Sequence, residues 1–394
     1  MSDKHKLFVI SSFCSYFVLA LPFTIQGSNA PVTMEYYGIT AAQQGLIITM
    51  QSVGSLCTAI FIALKGEKYN KINSIALGLL IICLTGLVIA GAPAYAVLLL
   101  VIVLVGIGVT FIDIMMNGVI ADVYTQKKNT LLPLAHAFFS VGATVTPIIV
   151  TSLANPASPI SFTYPFRVSF ILAGAVFVLY FLSSRRIMPD TPYIDMEAMK
   201  KRAVENPAEI FKFRESWFYF VVGLLYFTFQ LGTIIWLPTF AIRHSGVDFE
   251  TGGLMLTAFF AGSLLMRFIS PLFLKKLTPR QVYMYFGWAA AAFMLAALFT
   301  GNTFLMIFFV AACGFFQGSN VATLVLMCCD AFPERTASAS SIYSLSSGIA
   351  SLTAPFWMGA LSGITGFLLP MILISLALAA SATMVFAQKE KTRQ

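Results

Sequence analysis

Long apolar runs separated by short polar loops fill almost the whole chain. Spanning the hydrocarbon core of a membrane takes about 20 apolar residues, and twelve segments reach that length. They are predicted at 7–32, 41–64, 72–92, 94–121, 131–154, 165–184, 216–242, 252–274, 281–300, 302–327, 337–360 and 366–387. The pattern predicts an all-α membrane protein with twelve transmembrane helices, six on each side of one long polar segment.

The two halves of the chain repeat each other at a constant offset of 208 residues. Gly54-Ser55-Leu56 matches Gly262-Ser263-Leu264, and Gly106 matches Gly314. Further matched pairs are Gly38 with Gly246, Gly45 with Gly253, Asp122 with Asp330 and Pro147 with Pro355. We expect two pseudo-symmetric six-helix bundles, 1–184 and 216–394, joined by a cytoplasmic linker at 185–215. Parallel repeats of this kind are typical of transporters, which hold their substrate between the halves near the membrane midplane.

Composition supports a membrane protein and argues against other classes. Of the 394 residues 58% are hydrophobic and 10% charged, with a mean hydropathy of +0.86, whereas soluble domains carry about 25% charge. The net charge of +8 lies in short loops rather than in one patch, which argues against nucleic acid binding. The six cysteines lie in apolar segments without metal-ligand spacing. No nucleophile–base pair or nucleotide loop occurs, so neither an enzyme nor a cofactor is expected.

The distribution of lysine and arginine predicts the orientation. With the N-terminus inside, 21 of the 24 Lys and Arg residues are cytoplasmic, and only Arg167 and Arg243 lie in outer loops. Both termini are therefore expected in the cytoplasm. The protein itself is expected in a bacterial plasma or inner membrane. We expect a monomer whose partners are the lipid bilayer, a small-molecule substrate, and protons or alternatively sodium.

One acidic residue interrupts the apolar stretch from Gly106 to Asp122. Asp113 lies about nine residues, or roughly 13 Å, from the predicted cytoplasmic end of its helix. A charge at that depth costs a few kcal/mol, so its default interpretation is functional. A buried carboxylate can load and release a proton, as a proton-coupled carrier requires. His136 is a candidate partner or relay, and the alternative is a structural acid–base pair.

Other polar residues recur at helical spacing in the predicted membrane spans. They are Gln26 and Asn29 in the first, Thr110 and Asn117 in the fourth, Tyr226, Gln230 and Trp236 in the seventh, and Gln317 and Asn320, predicted to share one face, in the tenth. Amides beside an aromatic wall suit a polar ligand such as a sugar, although such residues also join membrane helices by hydrogen bonds. Arg267, in the eighth span, is either a counter-ion for an anionic substrate or a residue that extends to the interface.

The loop after the second span carries Glu67, Lys68, Asn70 and Lys71. This run resembles the loop motif G-x-x-x-D-R-x-G-R-R of the major facilitator superfamily, with Asn70 replacing a glycine because Asn tolerates a left-handed turn. Phe166–Phe170 and Phe332–Arg335 resemble two further segments of that superfamily. The resemblance implies the superfamily's fold, and a gating role in which Glu67, Lys68 and Lys71 latch the outward-facing state.

A narrower resemblance covers about 50 residues. Asp113-x-x-x-Asn117, followed by His136 to Gly142 and Pro147, resembles the fucose permease branch and its sodium–glucose relatives. The resemblance implies that Asp113 binds substrate or proton, with Asn117 as its neighbour. That branch has a second acid in its first helix, and Gly27 stands in its place here.

These features together predict a secondary active transporter that imports a sugar or similar polar molecule by alternating access, with proton coupling through Asp113. A proton-driven exporter of drugs or amphipathic metabolites is the alternative, motivated by 37 Phe and 17 Met. A membrane sensor without transport activity is a third class.

Overall fold

The computed structural model describes residues 3–65, 69–124, 128–187, 207–332 and 336–388. This part of the chain is helical, apart from loops and one isolated bridge between Asn155 and Ser158. The chain divides into two compact units, Met1–Val204 and Glu205–Gln394.

Seven α-helices are described in the first unit. They are α1 (Asp3–Ser28), α2 (Ala30–Tyr37), α3 (Ala41–Lys65), α4 (Lys71–Ala90), α5 (Tyr95–Val123), α6 (Lys128–Leu153) and α7 (Thr163–Ile187), with a short 3-10 helix at Pro159–Phe162 before α7. Helix α5 packs on α3 and α4, while α1 packs on α6 and α7.

Seven α-helices are likewise described in the second unit. They are α8 (Arg214–Ser245), α9 (Phe249–Leu274), α10 (Pro279–Phe299), α11 (Thr303–Gln317), α12 (Asn320–Ala331), α13 (Thr336–Thr365) and α14 (Leu368–Ala387), preceded by a 3-10 helix at Pro207–Lys212. Helix α9 packs on α11, and α8 packs on α13 and α14.

Within the described residues, eleven helical segments are long and apolar enough to cross a membrane. The predicted span 337–360 is the one outside this set. It falls within α13, which is long enough at 30 residues but rich in serine. Apolar side chains remain exposed on the helices, for example Leu100 at 70% and Phe304 at 77%. Such exposure suits helices whose outer faces contact lipid.

The structure reproduces the 208-residue repeat at atomic detail. A β-carbon added to Gly54 would collide with the backbone carbonyl of Val103, and one added to Gly262 would collide with that of Ala311. Gly262 lies 208 residues after Gly54, and Ala311 lies 208 residues after Val103. Small residues let membrane helices approach closely, so each unit uses the same glycine contact to join equivalent helices, α3 with α5 and α9 with α11.

Helix starts also follow the repeat. Thr40 and Gln43 exchange hydrogen bonds at the start of α3. At the equivalent position, the start of α9, the Asp248 carboxylate accepts a hydrogen bond of 2.7 Å from the N–H of Thr251. That hydrogen bond holds the pKa of the Asp248 carboxyl below its usual range. Gly38 and Gly246 precede these starts, with φ of 62° and 70° that glycine adopts without strain.

Asn70 departs from the expected left-handed turn. Its backbone is extended (φ −67°, ψ 112°), and its side chain accepts from the N–H of Asn73, which caps the start of α4. Capping is a common role of asparagine and satisfies one of the unpaired N–H groups at a helix start.

Two of the predicted spans are interrupted. Helices α1 and α2 meet at Asn29, two residues before Pro31, which has no N–H to continue the helical bonding. Helices α11 and α12 are separated by Gly318 and Ser319. Helix α5, which is equivalent to α11 and α12 in the repeat, runs unbroken, so the two units differ at this point.

Candidate substrate and proton site

Asp113 lies inside the long helix α5. It is half-buried and stands ten residues before the end of the helix at Val123, about 15 Å along the axis. Thr110 precedes it by nearly one turn and is buried, at 8% exposure. Position along the helix therefore puts the carboxylate well within the apolar part of the span.

Asn117 connects Asp113 to helix α1. Its Nδ2 donates to the backbone carbonyl of Asp113 at 2.8 Å and lies 3.4 Å from the Asp113 carboxylate oxygen. Its Oδ1 accepts from the hydroxyl of Tyr16 at 2.8 Å. Because both ends of the amide are engaged, the orientation of Asn117 is fixed by its neighbours, and a polar chain runs from α1 to the carboxylate.

His136 extends this group from helix α6. Its ring centroid is 5.0 Å from that of Tyr16, and its imidazole interacts electrostatically with the Asp113 carboxylate. The side chain of His136 is exposed. The structure thus brings together Tyr16, Asp113, Asn117 and His136, which we call the Asp113 cluster.

Tyr16 was not among the residues selected from the sequence. A tyrosine in an apolar run is common, but a buried tyrosine hydroxyl usually has a hydrogen-bond partner. Tyr16 is 1% exposed, and the need of a buried hydroxyl for a partner was the signal by which it could have been selected. It could not identify Asn117 as the partner, because the contact depends on how the helices pack.

Gln26 and Asn29 lie farther along α1, in a different part of the first unit. Gln26 is ten residues from Tyr16, or about 15 Å along the helix, and its Nε2 donates to Gln51 Oε1 on α3. Asn29 is fully buried and donates 2.7 Å to the carbonyl of Phe162. These two residues are not part of the Asp113 cluster.

Of the residues assigned to gating, Lys71 is described, whereas Glu67 and Lys68 lie outside the described residues. Lys71 is the first residue of α4. Its side chain crosses to α5, where a β-carbon added to Gly118 would lie 3.3 Å from Lys71 Cδ. The lysine therefore lies beside the helix that carries Asp113.

In the second unit, Tyr226 and Gln317 form a buried pair. The Tyr226 hydroxyl donates to Gln317 Oε1 at 2.9 Å, linking α8 to α11. Gln230, one turn from Tyr226, is half-buried, and within the described chain no side-chain hydrogen bond involves it. Arg267 on α9 is exposed and interacts electrostatically with Tyr226 and Tyr343.

Trp236 and Asn320 lie inside the packing of the second unit. The Trp236 indole is fully buried and donates 3.1 Å to the carbonyl of Pro355 on α13. Asn320 is also fully buried, and its Nδ2 faces Gly287 on α10. Gln317 and Asn320 flank the break at Gly318 and Ser319, and the expectation that they share one face stays a prediction.

Among the described residues no group of three His, Cys, Asp or Glu side chains could hold a metal ion. The described residues include eleven membrane-length helical segments, and hydrogen-bonded polar side chains lie within several of them. Those features are typical of a membrane transport protein rather than of an enzyme.

The sequence family agrees with this class. The chain belongs to the Major Facilitator Superfamily, whose family model matches residues 12–281 and 241–394. It is 20% identical to the inner membrane transport protein YdiM of Escherichia coli (strain K12), over 90% of this chain and 87% of YdiM. The chain is accordingly a multi-pass membrane protein and a secondary transporter.

Solved structures share the fold. A bacterial homolog of the human lysosomal transporter Spinster, in an inward-facing and unoccupied conformation, has a TM-score of 0.81 at 15% identity, covering 98% of this chain and 97% of that one. The D-xylose-proton symporter has a TM-score of 0.77 at 11% identity, covering 98% of each chain. At these identities the likeness concerns the fold alone, and the resemblance to the fucose permease branch stays a prediction.

Proposed function

We propose that this transporter moves a sugar or similar polyhydroxylated molecule together with a proton, and that Asp113 carries the proton. The observation behind the proposal is the Asp113 cluster, in which a carboxylate inside a membrane-length helix is joined to an amide, a phenol and an imidazole. An isolated charge at such depth is costly. A carboxylate kept there with a set of polar neighbours is suited to alternate between a charged and a neutral form.

Each neighbour has a separate proposed role. Asn117 keeps its amide N–H directed at Asp113, which stabilises the charged carboxylate when the proton has left. Tyr16 holds Asn117 in this orientation from α1. His136 is exposed and interacts with the carboxylate, so it is the proposed route by which a proton reaches Asp113.

Substrate contacts are proposed in each unit from groups that can still exchange hydrogen bonds. In the first unit these are Thr110 and Asn117, beside Asp113. In the second unit they are Gln230 and the Tyr226–Gln317 pair, because amide and hydroxyl groups both donate and accept as sugar hydroxyls require. The Trp236 indole already donates to the Pro355 carbonyl, so we propose that Trp236 supports the second unit. The amide of Asn320 has no hydrogen-bond partner among the described residues, so it is kept as a proposed substrate contact.

The test begins with a thermal-shift screen of the purified protein against sugars, polyols, and lipophilic cations and anions. Hits are then measured for uptake into proteoliposomes with and without an imposed pH gradient. For the wild type we expect accumulation that follows the gradient. For Asp113→Asn we expect exchange of internal for external substrate to persist while gradient-driven accumulation is lost.

Glu35→Gln is the matched control, since Glu35 is an exposed acid of the same unit and should leave accumulation unchanged. Gradient-driven accumulation that survives in Asp113→Asn would refute the proton role. If lipophilic ions shift the unfolding temperature and sugars do not, the exporter alternative replaces the sugar carrier.

A further inference from the structure

We propose that the substrate carries a carboxylate group and that Arg267 binds it, so that the transported molecule is an acidic sugar of the uronate or aldonate class. This inference rests on the proposed transport of a polyhydroxylated molecule with a proton, and it narrows the class of that molecule. The site lies in the second unit, where Arg267 of α9 interacts with Tyr226 of α8 and Tyr343 of α13.

Arg267 is a charged residue in the interior of its helix. It lies seven residues before the end of α9 at Leu274, about 10 Å along the axis. In the described helices of the second unit, every other Lys, Arg, Asp or Glu lies within two residues of a helix end. The guanidinium stays charged at any physiological pH. A charge at such depth is costly and marks a path for substrate or ions.

The side chain of Arg267 is directed across the unit rather than toward the membrane surface. Its electrostatic partners Tyr226 and Tyr343 belong to two other helices. The Tyr226 hydroxyl donates to Gln317, which lies at the middle of the membrane-length segment Thr303–Ala331. An arginine that extended to the interface would point away from this mid-span group. The contacts therefore favour the role of counter-ion for an anionic substrate.

The groups around Arg267 are both accessible and held in place. Arg267 is exposed and Tyr343 is half-buried, whereas Tyr226 is fully buried and bonded to Gln317. The ring of Phe227 packs edge-to-face against that of Tyr343, with centroids 5.2 Å apart. Because these neighbours are already ordered, a ligand that reaches the guanidinium has fewer side chains to immobilise.

A single internal guanidinium fits a singly charged carboxylate. Its N–H groups form a planar fork that can bond both oxygens of a carboxylate. A phosphate ester carries close to two negative charges at neutral pH, so one arginine would leave part of that charge unmatched. Gln230, one turn from Tyr226, can both donate and accept hydrogen bonds and suits the hydroxyl groups of the same sugar.

A singly charged substrate also gives a reason for the coupled proton. An inside-negative membrane potential opposes the entry of an anion. When one proton on Asp113 enters with each acidic sugar, the two together carry no net charge and the potential no longer opposes them. We therefore expect uptake of the acidic sugar to be electroneutral.

The first experiment measures binding of matched acidic and neutral sugars to the purified protein, with glucuronate compared with glucose and gluconate compared with sorbitol. For the wild type we expect each acid to bind about tenfold or more tightly than its neutral partner. Arg267→Gln should remove this preference. Arg243→Gln, at an exposed arginine near the end of α8, should keep it. Arg267→Lys should keep part of it, since lysine retains the charge without the planar fork.

Equal affinity of the wild type for the acidic and neutral partners would overturn the proposal, and so would a preference that survives in Arg267→Gln. Tighter binding of glucose 6-phosphate than of glucuronate would overturn the assignment to carboxylates. Neutral sugars that bind and accumulate with a proton would in either case leave the proposed function standing. Because the binding measurement involves no transport, a failure of proton coupling through Asp113 does not affect its result.

Should Arg267→Gln fail to fold, uptake of glucuronate by the wild type decides the question. Proteoliposomes loaded with potassium are given valinomycin, which imposes an inside-negative potential at equal pH on both sides. Uptake that the potential leaves unchanged supports the proposal. Slower uptake would support the anionic substrate and refute the coupled proton, whereas faster uptake would show that net positive charge enters and would overturn the proposal.

Discussion

Gly106 allows α5 to approach α3 more closely than any other residue type would. A β-carbon at this position would lie 2.9 Å from both the carbonyl carbon of Gln51 and the backbone nitrogen of Ser55, and nearer still to the Gln51 carbonyl oxygen. Ordinary van der Waals contact begins near 3.4 Å. Gly106→Ala therefore requires the two helices to separate by at least about 0.5 Å at this crossing.

Overpacking of this kind costs about 1–3 kcal/mol. The repeat predicts the same penalty for Gly314→Ala, since a β-carbon there would lie 2.7 Å from the backbone carbonyl carbon of Phe259. Gly348 on α13 is the matched control, because its β-carbon would meet no atom within 4 Å. Gly348→Ala should instead gain about 0.5–1 kcal/mol, since alanine is the better helix former.

The assay is thermal unfolding of the purified protein in detergent, with all variants heated at one scan rate because membrane-protein unfolding can be irreversible. Each kcal/mol should change the unfolding temperature by about 2–4 °C. We expect Gly106→Ala and Gly314→Ala to fall below the wild type and Gly348→Ala to equal or exceed it. If the first two variants are as stable as the third, the close crossings do not exist as described.

Three further substitutions test individual contacts. Tyr16→Phe removes the hydroxyl that donates to Asn117, so it should lower the free energy of unfolding by about 0.5–1.5 kcal/mol and slow uptake. Tyr164→Phe, at an exposed ring, should change neither stability nor uptake. Uptake by Tyr16→Phe at the wild-type rate would count against the role of Tyr16. Trp236→Phe removes the indole bond to the Pro355 carbonyl and should lower the unfolding temperature while leaving substrate affinity in a binding titration unchanged; a weakened affinity would return Trp236 to the substrate site. Asp248→Ala removes the cap of α9 and should cost about 0.5–2 kcal/mol at pH 7. The pKa of Asp248 in the folded protein is lowered from 3.8. The Asp248 carboxylate therefore stabilises the fold above pH 3.8, and this stabilisation is lost as the pH falls through the folded pKa. A difference in stability between Asp248→Ala and wild type that does not shrink at low pH would contradict the capping role.

The helical architecture could be predicted because bilayer length and apolar runs leave few alternatives. The constant offset of 208 residues predicted which glycines are equivalent, and the structure places Gly54 and Gly262 in equivalent contacts. The interruption before Asn320 was not predicted. Gly318 and Ser319 lie within one apolar run, and a two-residue break leaves the hydropathy of the whole span almost unchanged.

Asp113 could be selected from the sequence because a charged side chain in an apolar span costs free energy and is functional by default. Tyr16 could not be assigned to it, since their link through Asn117 depends on the packing of α1 against α5.

The central claim is that Asp113 carries the coupled proton, and simultaneous recording of proton entry and substrate uptake tests it most directly. Proteoliposomes in weakly buffered medium are given the best ligand from the thermal-shift screen, and the external pH is followed. The wild type and Glu35→Gln should make the medium more alkaline as substrate enters, while Asp113→Asn should exchange substrate without any change of pH. Proton entry that continues in Asp113→Asn at the wild-type ratio to substrate would contradict the account.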